Sequence, residues 1–374
     1  MTLKKFYRLF LLATACMVVL TSITFFLYPA RSEDAAGKEV LGKFRIDSNL
    51  QRIKDEQNGP SDDSADTPEN LQSPFGNRAI YGKDTRLDWG QIKPEKIKAI
   101  ARSSVALFRE ISLVSVEGRK EQKFGLLART LGEQSFDEAR GARLCKSERF
   151  TAQLVVPICS GVLVGEDLVV TAGHCIKEAS HDRGSPALDS LRFVFGFTAK
   201  NEKDRGQSEF DARQIFRGIE LVGSGYTSKE NGSEDWAVVR LDRKVSVDIA
   251  SPVKNIRTTN VKKGERVYAI GYPTGLPLKY VSGARISDDK PGAKFFIADL
   301  SVFQGNSGSG VFLSGTNELI GILVRGDRDY YLDENAGRCA RAYICDLTKC
   351  TGEAVTRIQD SKIQAIISGD HTPQ

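Results

Sequence analysis

The chain has 374 residues and carries 53 Lys and Arg against 48 Asp and Glu, which leaves a formal net charge of +5. This small positive excess gives no basis for predicting nucleic-acid binding or strong attraction to a membrane surface. With three histidines and no zinc-type spacing of cysteine and histidine, neither a metal site nor a cofactor is predicted; the length allows one large or two small domains.

Residues 9–30 form an uncharged, apolar segment that follows Lys4, Lys5 and Arg8. A segment this long can cross a bilayer as one helix, and the basic residues before it place the rest of the chain outside the cytoplasm. Residues 1–30 are therefore predicted to be a signal peptide or a signal anchor, and cleavage stays open. We expect a periplasmic or extracellular protein, in contact with the inner membrane only if this segment is retained.

Residues 31–77 lack any apolar periodicity and include an acidic run rich in turn formers at 59–68. Such a segment cannot bury enough surface to fold, so we interpret it as a disordered linker or pro-segment. The folded domain is predicted over 78–368. Within this domain a short helix is predicted over 95–101, because Pro94 is well placed to open one.

Short runs rich in β-branched and aromatic residues dominate the predicted domain, and turns of Gly, Asp, Asn and Ser separate them. This texture is typical of a β-barrel or sandwich. The predicted strands are Val105–Phe108, Ile111–Val116, Phe124–Leu127, Val162–Val164, Leu168–Val170, Leu191–Phe197, Val267–Ile270, Phe295–Ala298, Val311–Leu313 and Leu319–Val324.

Cysteine usage favours an oxidising compartment. Six cysteines lie in the predicted domain once Cys16, in the N-terminal apolar segment, is set aside. An even set is expected of an exported, disulfide-bonded domain. The six are Cys145, Cys159, Cys175, Cys339, Cys345 and Cys350.

Three stretches carry the groups of a Ser-His-Asp triad. His174 lies in Thr-Ala-Gly-His-Cys, Asp235 directly precedes an apolar run, and Ser307 lies in Gly-Asn-Ser-Gly-Ser-Gly. A serine hydroxyl is a poor nucleophile until a neutral imidazole takes its proton, and the imidazolium needs a buried carboxylate beside it. The three residues therefore predict acyl-transfer chemistry.

The order His, Asp, Ser and the sequence around each residue resemble the chymotrypsin/trypsin-like serine proteases, in particular the bacterial branch that includes the glutamyl endopeptidases. The resemblance covers about 78–368, and its motifs lie at 159–175, 269–277, 298–312 and 320–326.

The resemblance implies an all-β fold of two antiparallel six-stranded barrels, with the active site in the cleft between them. The first barrel would span about 95–250 and the second about 251–368, where residues 363–367 would lie in a closing C-terminal helix. Catalysis would then depend on how the barrels dock, since neither barrel carries the whole triad.

The resemblance also implies an exported serine endopeptidase that acts on polypeptide substrates. Ser307 would be the nucleophile, His174 the general base and Asp235 its orienting partner. The backbone N–H groups of Gly305 and Ser307 would form the oxyanion hole. A disulfide would join Cys159 to Cys175, whereas the other four cysteines allow three pairings. No oligomeric state is predicted.

By the same resemblance, the specificity pocket involves Ser301, Leu323, Arg325 and Gly326. Ser301 stands at the pocket floor, where a trypsin-type enzyme has a carboxylate, and Leu323 where a glutamyl endopeptidase has a histidine. Arg325 either receives an acidic substrate side chain or is a solvated residue on the cleft rim. An uncharged pocket predicts cleavage after apolar or small residues.

Two alternatives stay open beside the protease. One is a membrane-tethered, catalytically silent protease fold that acts as a binding module. The other, an esterase of the α/β-hydrolase type, is disfavoured because β-structure is predicted on both sides of Ser307. Asn306 replaces the aspartate that pairs with a newly cut N-terminus in the chymotrypsin branch, so activation by that ion pair is not expected.

Overall fold

Every described residue lies in one compact unit, Gly59–Gln374. The predicted signal segment and linker lie outside the described residues. Among the described residues, no helix is both long enough and apolar enough to cross a membrane. The computed structural model describes residues 80–117, 122–136, 142–178, 188–227, 234–326, 329–345, 350 and 352–369.

Strands dominate the described residues, as predicted, and the helices are α1 (Glu95–Ala101), α2 (Gly173–Glu178) and α3 (Ser361–Ser368). The strands up to residue 241 are β1 (Ile80–Tyr81), β2 (Leu87–Asp88), β3 (Ser104–Arg109), β4 (Leu113–Val116), β5 (Lys123–Leu126), β6 (Arg129–Thr130), β7 (Leu154–Val155), β8 (Cys159–Leu163), β9 (Leu168–Thr171), β10 (Leu191–Phe195), β11 (Glu209–Asp211), β12 (Ile215–Phe216), β13 (Gly218–Tyr226) and β14 (Asp235–Leu241). The later strands are β15 (Arg266–Gly271), β16 (Lys279–Asp288), β17 (Phe295–Ala298), β18 (Gly310–Leu313), β19 (Leu319–Arg325), β20 (Tyr330–Asp333), β21 (Cys339–Ala342), β22 (Ile344–Cys345) and β23 (Glu353–Arg357).

The second barrel is a closed antiparallel sheet of six strands. They follow the order β15, β18, β19, β23, β17, β16, and the pairing of β16 with β15 closes the ring. Its interior is filled by apolar side chains such as Val267, Val311 and Leu323, none of which is exposed. β-Branched residues suit such an interior because they pack well on a pleated surface.

The first barrel is a sheet in the order β12, β10, β3, β8, β9, β14, β13, which curls back on itself. Its two edge strands, β12 and β13, are separated only by Arg217, so residues 215–226 form one bent strand that lines both edges. The seven segments thus amount to six strands. The predicted architecture of two antiparallel six-stranded barrels is confirmed.

One hydrophobic core runs through the first barrel and across the junction. It unites Trp236 and Val238 of the first barrel with Tyr268 and Phe312 of the second. The C-terminal helix α3 adds Ile363, which is fully buried in the same core. Burying one such side chain contributes about 1.5–3 kcal/mol, so the helix fastens the chain end to the body of the domain.

The N-terminal strap, residues 80–88, runs along the second barrel before the chain enters the first. The Ile80 N–H donates to the Tyr343 carbonyl oxygen at 2.8 Å, and β1 pairs in parallel with β22. β2 pairs with β16 at the edge of the second barrel. The first residues of the domain therefore complete the second barrel, a contact between distant parts of the chain.

Candidate active site

His174 and Asp235 are held side by side by two paired strands of the first barrel. His174 lies in α2, which follows β9, and Asp235 begins β14; these strands are antiparallel neighbours with Thr171 opposite Ala237. The His174 Nδ1 atom lies 2.9 Å from Asp235 Oδ2, and the His174 backbone N–H donates to Oδ1 at 3.1 Å. Both carboxylate oxygens are thus bonded to the predicted base.

The two side chains differ in exposure in the way that the chemistry requires. The Asp235 side chain is 1% exposed and the His174 side chain 16%. With its proton on Nδ1 and donated to Asp235, the ring keeps a lone pair on Nε2, which can accept a proton. The second barrel also holds Asp235, because the Thr356 hydroxyl donates to its carbonyl oxygen at 2.9 Å.

Ser307 lies in the nucleophile loop, residues 303–309, at the junction of the two barrels. Ser160 in β8 donates its backbone N–H to the Ser307 carbonyl oxygen at 2.7 Å, and Gly308 donates to the Leu323 carbonyl oxygen at 2.7 Å. The loop is therefore bonded to the first barrel on one side and to the second barrel on the other.

A disulfide between Cys159 and Cys175 joins the strand that holds Ser307 to the helix that carries His174. Cys159 directly precedes Ser160, and Cys175 directly follows His174. The Cys175 sulfur lies 3.8 Å from the Ser307 carbonyl oxygen, so the disulfide links the segments that carry His174 and Ser307.

The predicted oxyanion donors are the N–H groups of Gly305 and Ser307, and within the described part of the chain neither donates a hydrogen bond. The Gln304 carbonyl accepts from the Thr274 N–H, and the Asn306 carbonyl accepts from the Ser309 N–H at 2.8 Å. In a trans peptide the N–H points away from the carbonyl. Both donors therefore face away from these bonds and stay free for a ligand oxygen.

Two glycines are required by this loop. Gly305 has φ +87° and Gly308 has φ +85°, in the left-handed region that other residues rarely adopt. A Cβ at Gly305 would lie 2.7 Å from the Tyr272 carbonyl oxygen, and one at Gly308 would lie 2.0 Å from that of Ser160. The loop can therefore hold this conformation against both barrels only with glycine at these positions.

The predicted specificity residues differ in burial and in hydrogen bonding. Ser301 is 5% exposed, and its Oγ accepts from the Tyr81 backbone N–H at 3.0 Å. Leu323 is fully buried among the core side chains of the second barrel. Gly326 is half-buried and directly follows β19.

Arg325 lies near one carboxylate oxygen of Asp235. Its Nε is 3.9 Å from Asp235 Oδ2, the same oxygen that lies against His174 Nδ1. The Arg325 side chain is 24% exposed. Both interpretations of Arg325, as the receiver of an acidic substrate group and as a residue on the cleft rim, stay predictions.

The other described cysteines pair as Cys145–Cys339 and Cys345–Cys350, which resolves the pairing left open by the sequence. Among the described residues, one group of three side chains has the types and proximity of metal ligands, namely Cys159, His174 and Cys175. Its two sulfurs are bonded to each other, so they are not free thiolates for a metal.

Replacing both Cys159 and Cys175 with alanine is expected to lower the free energy of unfolding by about 3 kcal/mol, because the bridge closes a loop of this size in the unfolded chain. The bridge spans a sequence separation of 16, against 5 for Cys345–Cys350. The matched double variant at Cys345 and Cys350 should therefore cost less in urea unfolding. Mass spectrometry that finds Cys159 and Cys175 as free thiols in exported protein would contradict the assignment.

Residues 159–322 match the family model of the trypsin-like peptidase domain. The chain is also similar to a glutamyl endopeptidase of Staphylococcus epidermidis, with 28% identity over 176 residues, which make up 46% of this chain and 55% of that protein. The chain thus spans about half the length of the curated relatives it matches.

Two solved structures are similar at a lower level. Kallikrein-related peptidase 10 has a TM-score of 0.39 and 18% identity, over 72% of this chain and 95% of that one. Rv3671c of M. tuberculosis H37Rv, in an inactive form, has a TM-score of 0.38 and 12% identity, over 79% of this chain and 99% of that one.

The residues matched by the family model include His174, Asp235 and Ser307, in the order in which the triad was predicted. They lie on a fold of two antiparallel barrels, with a closing C-terminal helix. Residues 159–322 of this chain therefore match a trypsin-like peptidase domain.

Proposed function

We propose that this protein is an exported serine endopeptidase that hydrolyses peptide bonds through an acyl-enzyme on Ser307. The observation that carries the proposal is the buried Asp235 carboxylate bonded to His174 beside the nucleophile loop. The name of the glutamyl endopeptidase relative supports a peptidase, and the activity of the whole protein is inferred from this local site.

In the proposed reaction Ser307 Oγ attacks the scissile carbonyl carbon while His174 Nε2 takes the hydroxyl proton. The tetrahedral oxyanion would be bound by the two N–H groups of Gly305 and Ser307, which have no other acceptor among the described residues. His174 then gives its proton to the leaving amine, and the amine departs. Water then attacks the carbonyl carbon of the acyl-enzyme while His174 takes a proton from it. His174 gives that proton to Ser307 Oγ as the bond between Ser307 and the acyl group breaks.

Export is supported by the disulfides. The described residues contain three, and such bonds persist in oxidising compartments and are rare in the cytosol. We propose a periplasmic or extracellular location. Whether residues 9–30 anchor the chain is decided by the N-terminal sequence of the exported protein.

The experiment that tests the proposed function is labelling of the full chain with a fluorophosphonate probe, together with hydrolysis of a quenched peptide library. We expect labelling of wild type and none of Ser307→Ala. A folded wild-type chain that neither takes the probe nor cleaves any peptide would support the alternative of a catalytically silent binding module.

We expect the protease to prefer apolar or small residues on the acyl side of the scissile bond. Ser301 offers no carboxylate for a substrate Arg or Lys, and a buried cation without a partner is costly. Arg325, the cation predicted near the pocket, already lies against Asp235. The name of the relative would favour cleavage after Glu, and the structure describes no free cation at the predicted pocket positions.

A peptide-library digest analysed by mass spectrometry checks this preference. Cuts mainly after Arg, Lys or Glu would contradict it. Arg325→Ala is the informative variant: if cuts after Glu occur in wild type and vanish in this variant, Arg325 binds the substrate carboxylate.

A further inference from the structure

We infer that Ser160 is a positioning residue for the oxyanion-binding loop, an inference that rests on the proposed function. Its side chain lies at the meeting point of β8, the end of β15 and the nucleophile loop. The sequence predicts no role for Ser160, which follows Cys159 in an otherwise apolar strand. A single hydroxyl in such a strand is the sequence feature that could have drawn attention to it.

The Ser160 hydroxyl is fully buried and bonded on both sides. Its Oγ donates to the Gly305 carbonyl oxygen at 2.8 Å and accepts from the Tyr272 backbone N–H at 3.0 Å. Its own backbone N–H donates to the Ser307 carbonyl oxygen at 2.7 Å. One residue of the first barrel therefore holds two carbonyls of the nucleophile loop and one N–H of the second barrel.

These two carbonyls lie beside the predicted oxyanion donors. The Gly305 N–H belongs to the peptide group 304–305, and the Ser307 N–H belongs to the peptide group 306–307. The peptide group 305–306 lies between these two. Ser160 Oγ holds the carbonyl of this middle peptide. Each neighbouring peptide group is joined to this middle group through one Cα atom. Holding the plane of the middle group therefore limits how far the Gly305 and Ser307 N–H groups can turn away from the ligand oxygen.

Loss of the hydroxyl would leave two buried backbone groups without their partner. The Gly305 carbonyl and the Tyr272 N–H would both lose a hydrogen bond, and a buried group left unpaired costs more than the bond is worth. Because Gly305 tolerates both signs of φ, the loop can then rotate its peptides to find other partners. The donors would leave the geometry that binds the oxyanion.

The test compares Ser160→Ala with wild type in peptide hydrolysis. We expect kcat to fall about 10- to 100-fold with KM changed less than about threefold, a smaller loss than removal of an oxyanion donor itself. The affinity for a peptide aldehyde, which forms an oxyanion on Ser307, should fall in parallel. The affinity for an uncleaved product peptide should not.

Two matched comparisons isolate the hydroxyl. Ser160→Thr and Ser160→Val have nearly the same shape, so we expect the threonine variant to keep several-fold more activity than the valine variant. Ser104→Ala is the control, because Ser104 lies opposite Val162 on β3 and is 2% exposed, and its Oγ has no hydrogen-bond partner among the described residues. It should keep wild-type kcat.

Three results would overturn the inference: equal activity of the threonine and valine variants, a Ser160→Ala variant with wild-type kcat and only a lower Tm, or an equal loss in Ser104→Ala. Amide hydrogen exchange separates this inference from the proposed function. Should wild type hydrolyse nothing, faster exchange of residues 303–309 in Ser160→Ala still supports the positioning role, and unchanged exchange refutes it.

Discussion

Replacing Ser307 with alanine is expected to lower kcat/KM for peptide hydrolysis by three orders of magnitude or more, and His174→Ala by a similar factor. The reason is that the two side chains act as one unit: the hydroxyl attacks only when the imidazole removes its proton. The double variant should therefore lose little more than either single variant. Losses that multiplied in the double variant would show that Ser307 and His174 act separately, and the triad assignment would be wrong.

The fold of the Ser307→Ala variant should survive, because the Ser307 hydroxyl makes no hydrogen bond to another described residue. His174→Ala should be less stable, since it removes one partner of the buried Asp235 carboxylate. Thermal unfolding followed by circular dichroism checks this. Ser314→Ala is a suitable control, since Ser314 is an exposed serine just after β18 and outside the nucleophile loop. Activity lost equally in Ser314→Ala would point to damage unrelated to the nucleophile.

The sequence predicted the parts of this protein whose determinants are local. Pro94 with the residues after it predicted α1, which spans Glu95–Ala101 as expected. Short runs of β-branched and aromatic residues predicted the ends of β3, β15 and β17 to within about one residue. Such a run can be recognised from a few neighbouring positions in the sequence.

Side-chain directions at the predicted pocket positions of β19 could not be derived from spacing, because direction along a strand depends on register. The ladder between β19 and β23 shifts between Leu323 and Arg325, so the alternation of faces breaks there. A single extra residue in a strand moves the following side chains to the other face. Sequence spacing alone cannot show such a bulge.

Two long strands, β13 and β16, were not predicted for a related reason. Both contain interior glycines and charged residues, such as Gly283 and Glu220, and both carry register shifts in their ladders. The contact of Tyr81 with Ser301 was equally out of reach, since the two are 220 residues apart in sequence. Only the closed barrel brings them together.

The buried ion pair between Asp88 and Lys279 is expected to control stability more than any other charged pair described. Their atoms lie 2.7 Å apart, and neither side chain is exposed. Lys279 Nζ also donates to Gln153 Oε1 at 2.7 Å and to the Pro277 carbonyl oxygen at 2.8 Å. The pair fastens the N-terminal strap to β16 of the second barrel.

Either Lys279→Met or Asp88→Leu should lower the free energy of unfolding by about 3–5 kcal/mol, because each leaves one buried charge without its partner. The double variant removes both charges and should recover part of this loss; Gln153 and Pro277 still lose a donor, so recovery is incomplete. The matched control is Lys244 with Glu166, which lie 2.6 Å apart at the surface with side chains 76% and 68% exposed. Neutralising that pair should barely move the urea midpoint.

The pH dependence gives a second check with a definite sign. Burial lowers the pKa of Lys279 from 10.5 to about 8, and Asp88 opposes that shift. Between pH 8 and 10.5 the unfolded chain therefore holds a proton that the folded chain has released, so stability rises with pH across this window. Subtracting the unfolding free energy of the Asp88→Leu/Lys279→Met variant at each pH cancels the other titrating groups. The difference should grow in favour of wild type from pH 8 upward, and a difference that is flat or falls would show that Lys279 keeps its proton in the folded protein.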